Sequence, residues 1–97
     1  MTSRRDLLVT YDICDDKRLR AVFKLMKGYG DHVQFSVFRC SLNKTERIEL
    51  MAKLSHIIHH AVDQVLFINL GKLPERRPRI QPIGRPYRPG HVGSRVL

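Results

Sequence analysis

Residues 7–26 read LLVTYDICDDKRLRAVFKLM, and the spacing of apolar residues changes within this stretch. The first part alternates as a β-strand does, and its apolar face consists of Leu7, Val9, Tyr11 and Ile13. The second part has the i, i+3, i+4, i+7 spacing of an amphipathic helix, formed by Leu19, Val22, Phe23 and Met26. Asp15 or Asp16 is predicted to cap this helix, and Gly28 and Gly30 to end it.

The remaining elements follow from the same two periods. Residues 32–42 form a second extended segment, and residues 43–60 a second helix that begins with a capping box of Asn43 and Glu46. Residues 65–70 (VLFINL) form a short apolar strand. The order β-α-β-α-β predicts an α+β domain over residues 1–71. Residues 72–97 are predicted to be a basic, Pro/Arg-rich C-terminal strand and tail, in which prolines confine any strand to a sheet edge near residues 80–83.

One face of the predicted sheet is left without helices if both helices pack on the other face, as in a ferredoxin-like topology. On this open face the first strand carries Leu8 and Thr10 beside Asp12, and the second extended segment is predicted to carry Phe38. An apolar face of this kind predicts a homodimer formed sheet to sheet.

Positive charge is concentrated at the C-terminal end. The formal net charge is +9, and residues 72–97 hold seven Lys/Arg against Glu75 alone. Arginine matches phosphate with a planar fork of donors, so this segment predicts a nucleic-acid partner, with Arg76, Arg77 and Arg79 as contact residues. The alternative is a tail that only aids solubility.

Several classes of protein are excluded by composition. No apolar run approaches the roughly 18 residues that span a bilayer, and the N-terminus makes a poor signal peptide. Cys14 and Cys40 lack CxxC spacing, so reduced thiols are expected. The sequence therefore predicts a cytoplasmic protein without a membrane partner.

Asp12 is the candidate site residue that the pattern itself singles out. It is a carboxylate at the C-terminal end of an apolar strand, where burial without a partner is costly. A solvated strand end or a capping role is the simpler explanation of a lone aspartate. If two chains pair through the open face, however, two Asp12 carboxylates approach each other and form a plausible Mg²⁺ site for phosphodiester cleavage.

Two further clusters have simpler explanations. His56, His59 and His60 have a spacing that can bind a transition metal, but a solvated polar helix face is strongly favoured. The second cluster is basic and lies on the first helix, where it consists of Arg18, Arg20, Lys24 and Lys27. Exposed basic residues on a helix are usually only solvated, but these form a phosphate-binding stripe if they act together with the tail.

Two motifs resemble the Cas2 family of CRISPR-associated proteins. Tyr11-Asp12-Ile13 closes the first strand ahead of the acidic and basic residues 15–18, and residues 33–38 (VQFSVF) resemble that family's V-Q-x-S-V-F signature. With residues 83–86 (IGRP), the chain length and the element order, the resemblance covers nearly the whole chain.

The resemblance implies a ferredoxin-like βαββαβ sandwich with an additional C-terminal strand that joins the partner's sheet in a homodimer. It implies a Mg²⁺-dependent endonuclease of RNA or double-stranded DNA, with Asp12 from both chains as the metal ligand and Tyr11, Ser36 and Phe38 near the site. It also implies phosphate contacts from Arg18 and Arg20, and a role in spacer acquisition with the CRISPR-associated integrase on duplex DNA.

Two features depart from the family pattern. His32 stands where a basic residue is common, so it is a candidate nucleic-acid contact whose charge depends on pH. The ferredoxin-like order also needs two strands between the helices, so residues 32–42 must be kinked or split near Ser36.

Three functions remain open from the sequence. The first is a metal-dependent endonuclease that acts through Asp12 on duplex DNA or single-stranded RNA. The second is a non-catalytic scaffold that bridges integrase subunits on duplex DNA, which suits a chain with one candidate carboxylate and no convincing general base. The third is a toxin-like ribonuclease outside CRISPR.

Overall fold

The computed structural model describes residues 4–71 and 79–87, which form two helices and one five-stranded antiparallel sheet. The elements are β1 (Arg5–Asp12), α1 (Asp16–Lys27), β2 (Gly30–Gln34), β3 (Val37–Leu42), α2 (Lys44–Ile57), β4 (Gln64–Asn69) and β5 (Arg79–Gly84). The strand order is β2-β3-β1-β4-β5. The first six elements give the predicted βαββαβ order, and β5 is the additional C-terminal strand. Within the described part of the chain, neither helix is long and apolar enough to cross a bilayer.

Both helix starts confirm the predicted caps. Asp15 caps α1 by accepting a hydrogen bond from the backbone N–H of Arg18 at 2.9 Å. Asn43 and Glu46 form a reciprocal capping box at the start of α2, with hydrogen bonds of 2.8 and 3.0 Å. α2 ends at Ile57 and not at position 60, because the backbone of Ile58 is already extended.

β5 corrects one expectation about the C-terminal strand. The resemblance implied that this strand joins the sheet of a partner, whereas in this chain it pairs with β4 of the same chain, with Val65 opposite Ile83. The strand was correctly predicted as an edge strand, since no further strand pairs beyond it among the described residues.

The segment between the helices is split into β2 and β3, as the predicted topology required. A register irregularity lies between His32 and Gln34, and a turn separates the two strands. The predicted placement of Phe38 on the open face is wrong. The turn restarts the alternation at Val37, so Phe38 is fully buried on the helix side, opposite Val9 of β1.

The open face keeps an apolar character without Phe38. Leu7, Val9 and Tyr11 are buried beneath the helices, so Leu8 and Thr10 project to the opposite side of β1. Leu8 lies opposite Ile68 of β4, and Thr10 lies opposite Leu66. All four residues are only partly covered in the single chain.

A buried carboxylate joins the segments at one end of the sheet. Asp63 immediately precedes β4, and its side chain has no solvent exposure. It accepts hydrogen bonds from the backbone N–H of Cys14 (2.9 Å), the backbone N–H of His59 (2.8 Å) and Nε of Arg18 (2.8 Å). The β1–α1 loop, the start of α1 and the end of α2 therefore meet at one side chain.

The same residue also anchors the end of β5. The backbone carbonyl of Asp63 accepts a 2.7 Å hydrogen bond from the N–H of Arg85. Gly84 has a φ of +94°, and a Cβ at this position would collide with that carbonyl. Only glycine therefore lets β5 approach Asp63 closely enough to place Arg85.

Replacing Asp63 is expected to destabilise the fold strongly. Asp63→Asn should lower the free energy of unfolding by about 2–4 kcal/mol, because it leaves Arg18 and two backbone N–H groups without their buried anion. Urea denaturation measures the change. Asp6→Asn is the matched control, because Asp6 forms an exposed ion pair with Arg39 and should cost less than about 1 kcal/mol. Equal losses in the two variants would contradict the role given to Asp63.

The carboxylate of Asp63 should also make the stability of the fold depend on pH. Burial raises the pKa of Asp63, but hydrogen bonds from Arg18, Cys14 and His59 outweigh burial and lower the pKa to about 2. Because the folded pKa lies below the unfolded one, the stabilisation is present above about pH 4 and is lost as pH falls towards 2. Urea midpoints between pH 5 and 2 should fall for the wild type, and they should fall less for Asp63→Asn.

Candidate active site

An open cavity of about 310 Å³ lies where β1 ends. Strands β1 to β4 and the β2–β3 turn supply its walls, which consist of Thr10, Tyr11, Asp12, Gln34, Phe35, Ser36, Val37, Gln64 and Leu66. Three of the four residues predicted as catalytic therefore line one cavity: Tyr11, Asp12 and Ser36.

Asp12 is partly exposed in this cavity and forms an ion pair. Its Oδ2 accepts a 2.9 Å hydrogen bond from Nη2 of Arg85, and the two side chains are 42% and 35% exposed. Gln64 lies opposite Asp12 on β4, and its side-chain amide donates to the carbonyls of Arg85 and Pro86, at 2.9 Å each. The chain after β5 is thereby held against the cavity.

Arg85 is the site residue that sequence reasoning missed. It stands in the IGRP stretch that contributed to the family resemblance, but no role was predicted for it. Nothing in the local pattern separates it from the other arginines of the C-terminal segment. Its role follows from its position after β5, which the pairing with β4 brings beside Asp12.

Tyr11 and Ser36 join the end of β1 to the β2–β3 turn. The backbone N–H of Tyr11 donates to the carbonyl of Ser36 at 3.1 Å. Burial raises the pKa of the Tyr11 phenol, and a side-chain hydrogen bond with Ser36 acts in the opposite direction. Tyr11 is therefore a neutral phenol near neutral pH, able to donate a hydrogen bond but not to act as a base.

Phe38 supports the site by packing. It is fully buried and does not line the cavity, and its ring lies 6.3 Å from that of Tyr11 between ring centroids. It also contacts the rings of Phe23 at 5.6 Å and His32 at 5.0 Å. The structure thus places this predicted site residue behind the cavity wall, because β3 begins after the turn.

The predicted phosphate contacts fall in different places. The guanidinium of Arg18 pairs with the buried carboxylate of Asp63, which gives it a structural role in place of a free phosphate-binding one. Arg20 is exposed on α1, and His32 is exposed on β2 with Nε2 2.6 Å from the carbonyl of Phe35. Arg79 begins β5 opposite Asn69. Arg76 and Arg77 lie outside the described residues.

Comparisons with known proteins identify the family of this chain. The family model for CRISPR associated protein Cas2 matches residues 6–76. The chain belongs to the Cas2 family. A relative from Geobacter sulfurreducens, named CRISPR-associated endoribonuclease Cas2, is 38% identical over 82 residues, which are 84% of this chain and 86% of the relative. A Rhodospirillum rubrum relative of the same description, CRISPR-associated endoribonuclease Cas2 1, is 41% identical over 82% of this chain and 78% of its own length.

Two solved structures share the fold. Cas2 of Streptococcus pyogenes superposes with a TM-score of 0.65 and is 41% identical, covering 70% of this chain and 88% of that one. A hypothetical protein from Thermus thermophilus gives a TM-score of 0.70 at 27% identity and covers 81% of this chain and 100% of its own. The Cas2 fold therefore extends over most of the described elements.

One chain alone does not supply a metal site in its described residues, where no group of three His, Cys, Asp or Glu side chains converges. The prediction that His56, His59 and His60 share one helix face is wrong for two of them, since His59 and His60 lie beyond the end of α2 at Ile57. At the cavity Asp12 is the only carboxylate among the lining residues. Mg²⁺ accepts one or two carboxylates and keeps several waters, so Asp12 fits this ion when a second copy adds its own carboxylate.

Asp12 should be dispensable for folding. Its ion pair with Arg85 is partly solvated, so Asp12→Ala is expected to change the free energy of unfolding by less than about 1 kcal/mol. Thermal denaturation followed by circular dichroism measures this. Loss of the cooperative transition would make Asp12 a structural residue and remove the reason to test it in catalysis.

Proposed function

We propose that this chain is a CRISPR-associated endonuclease that cleaves RNA as a homodimer, with Asp12 of both chains at the reacting phosphate. The observation that carries the proposal is the position of Asp12, a partly exposed carboxylate facing an open cavity with an arginine beside it. The names of the Geobacter sulfurreducens and Rhodospirillum rubrum relatives support RNA as the substrate. We place this activity in the cytoplasm, in the spacer-acquisition step and together with the CRISPR-associated integrase.

The open face of the sheet supports the dimer. Leu8, Leu66 and Ile68 are partly covered neighbours there, and Asp12 lies on the same side of β1, two residues beyond Thr10 and four beyond Leu8. A two-fold axis through these apolar residues buries them against their own copies. It also turns the two Asp12 carboxylates towards a shared space at the axis.

The residues around Asp12 have distinct parts to play. Two carboxylates would hold Mg²⁺, which supplies a water of lowered pKa and neutralises charge on the phosphate. Arg85 lies at hydrogen-bond distance from Asp12 and offers a planar fork of donors to a phosphate oxygen. The neutral phenol of Tyr11 forms a hydrogen bond with the side chain of Ser36 at the cavity wall, and Gln64 keeps the segment of Arg85 in place.

A second candidate function, the DNA-binding scaffold, is favoured by the composition of the same cavity. Asp12 and Tyr11 are the only lining residues that titrate, and the phenol stays protonated near neutral pH. Asp12 therefore has to serve both as metal ligand and as the only candidate base, which is a sparse set for hydrolysis. In this alternative Arg85 binds a phosphate of duplex DNA, and the dimer bridges integrase subunits without cleaving.

Asp12→Asn should abolish cleavage while leaving binding in place. Wild type and variant are incubated with labelled single-stranded RNA and with duplex DNA, with Mg²⁺ or with EDTA. We expect RNA cleavage by the wild type only with Mg²⁺, and a loss of at least about 100-fold in the variant, because the metal then lacks its ligands.

Asp6→Asn provides the matched control for this experiment. It removes a carboxylate from the opposite end of β1, where Asp6 pairs with Arg39, and should leave cleavage unchanged. Cleavage that survives Asp12→Asn would contradict the catalytic role proposed for Asp12. Absence of cleavage by the wild type, together with tight binding of duplex DNA, would favour the scaffold.

A further inference from the structure

Phe35 is the most conspicuous residue that neither the fold nor the proposed chemistry explains. Its side chain is 76% exposed, the largest fraction among the large hydrophobic residues that the structure describes. Its φ is +38°, and no other non-glycine residue in the described ranges 4–71 and 79–87 has a positive φ. Exposure and backbone strain are both unfavourable, and here they fall on one phenylalanine.

The surrounding contacts hold this strained turn in one conformation. Nε2 of His32 lies 2.6 Å from the carbonyl of Phe35 and donates to it in the tautomer that carries hydrogen on this nitrogen. The carbonyl of the next residue, Ser36, accepts from the N–H of Tyr11 at 3.1 Å. The turn is therefore tied on both sides of Phe35, and the ring is directed away from the core. Strain that is maintained in this way occurs mainly at functional sites.

The location of Phe35 beside Asp12 indicates which kind of ligand its ring can contact. It lines the same cavity as Asp12, at the turn between β2 and β3, while Arg85 lies on the other side of Asp12. An apolar aromatic surface, a carboxylate and a guanidinium therefore follow one another around the end of β1. A nucleotide presents the complementary series, with a flat base at one end and a phosphate at the other.

We propose that Phe35 is a stacking platform for an unpaired base of single-stranded RNA whose neighbouring phosphate lies at Asp12 and Arg85. This inference rests on the proposed function, because it assumes that the cavity receives a nucleic-acid strand. Phenylalanine has no hydrogen-bonding group, so it contributes affinity without selecting among bases. The bases of a duplex are already stacked on each other, so the platform favours single strands.

Binding is tested in EDTA, so that cleavage plays no part. A single-stranded RNA with the fluorescent base 2-aminopurine at successive positions is titrated with wild type, Phe35→Leu and Phe35→Trp. Leucine keeps an apolar side chain at the same backbone position but has no aromatic face. We expect quenching of 2-aminopurine at one position with the wild type and with tryptophan. Phe35→Leu should abolish the quenching and weaken binding about tenfold.

Two controls identify the cause of any loss. Val33→Ala changes the other exposed apolar residue of this region, which is 57% exposed and does not line the cavity, and should leave binding unchanged. Light scattering reports the oligomeric state of every variant. A change of oligomeric state in Phe35→Leu would overturn the proposal, because it would make Phe35 an interface residue between chains.

Other outcomes also overturn the proposal. Unchanged quenching and affinity in Phe35→Leu would show that the ring does not contact the base. An equal loss of affinity for blunt duplex DNA would exclude stacking on an unpaired base. Failure of the proposed nuclease function is distinguishable, because it appears as absent or Asp12-independent cleavage with Mg²⁺, whatever the result in EDTA.

Phe35→Gly separates a binding role from a structural one. Glycine adopts a positive φ without strain, so this variant should melt at the same temperature as the wild type or at a higher one. It should nevertheless lose the 2-aminopurine quenching. A clearly lower melting temperature would show that the ring stabilises the fold and would overturn the proposal.

Discussion

The ion pair between Asp63 and Arg18 is the interaction on which the geometry of this end of the protein depends. A carboxylate with no solvent exposure must receive hydrogen bonds to compensate for lost hydration, and three segments provide them. The β1–α1 loop and the loop between α2 and β4, which meet at this end of the sheet, are therefore not free to adjust independently. Through its backbone carbonyl Asp63 also fixes Arg85, and Arg85 in turn reaches Asp12. The buried carboxylate of Asp63 thus determines where Asp12, the proposed metal ligand, finds its partner.

The cavity combines two kinds of support. Asp12 lies at the end of the central strand β1, where pairing with Gln64 of β4 restrains its backbone, whereas the pairing of β1 with β3 ends at Thr10. Phe35 lies on a strained turn that is held by a hydrogen bond to His32 and by the contact between Ser36 and Tyr11. Rigid placement of the charged group suits chemistry, which needs a precise position. A ring on a turn suits contact with a flexible strand, whose bases vary in size and orientation.

Local patterns predicted most of the fold, and long-range contacts account for what they missed. The change of period within residues 7–26 and the capping box at Asn43 depend on neighbours in sequence, and both are confirmed. The sheet face on which Phe38 lies depends on the turn between β2 and β3, which interrupts the alternation. Periodicity alone does not reveal this turn, so the face was predicted wrongly. Asp63 gave no signal, because its partner Arg18 lies 45 residues away. For the same reason Arg18 resembled a surface residue, and Arg85 resembled every other arginine of a basic segment.

The carboxylate of Asp12 at the end of β1 has a basic partner within this basic chain, because Arg85 forms an ion pair with it. The ion pair holds the charge of Asp12 at the cavity in the absence of RNA or metal, and partial exposure keeps the pair weak enough to be exchanged. Under the proposed function, a phosphate would compete with Asp12 for the guanidinium, and a cation would compete with Arg85 for the carboxylate. Binding of either one would then free a group that attracts the other, so that phosphate and metal would bind cooperatively. One partly exposed ion pair would thus couple substrate binding to metal binding.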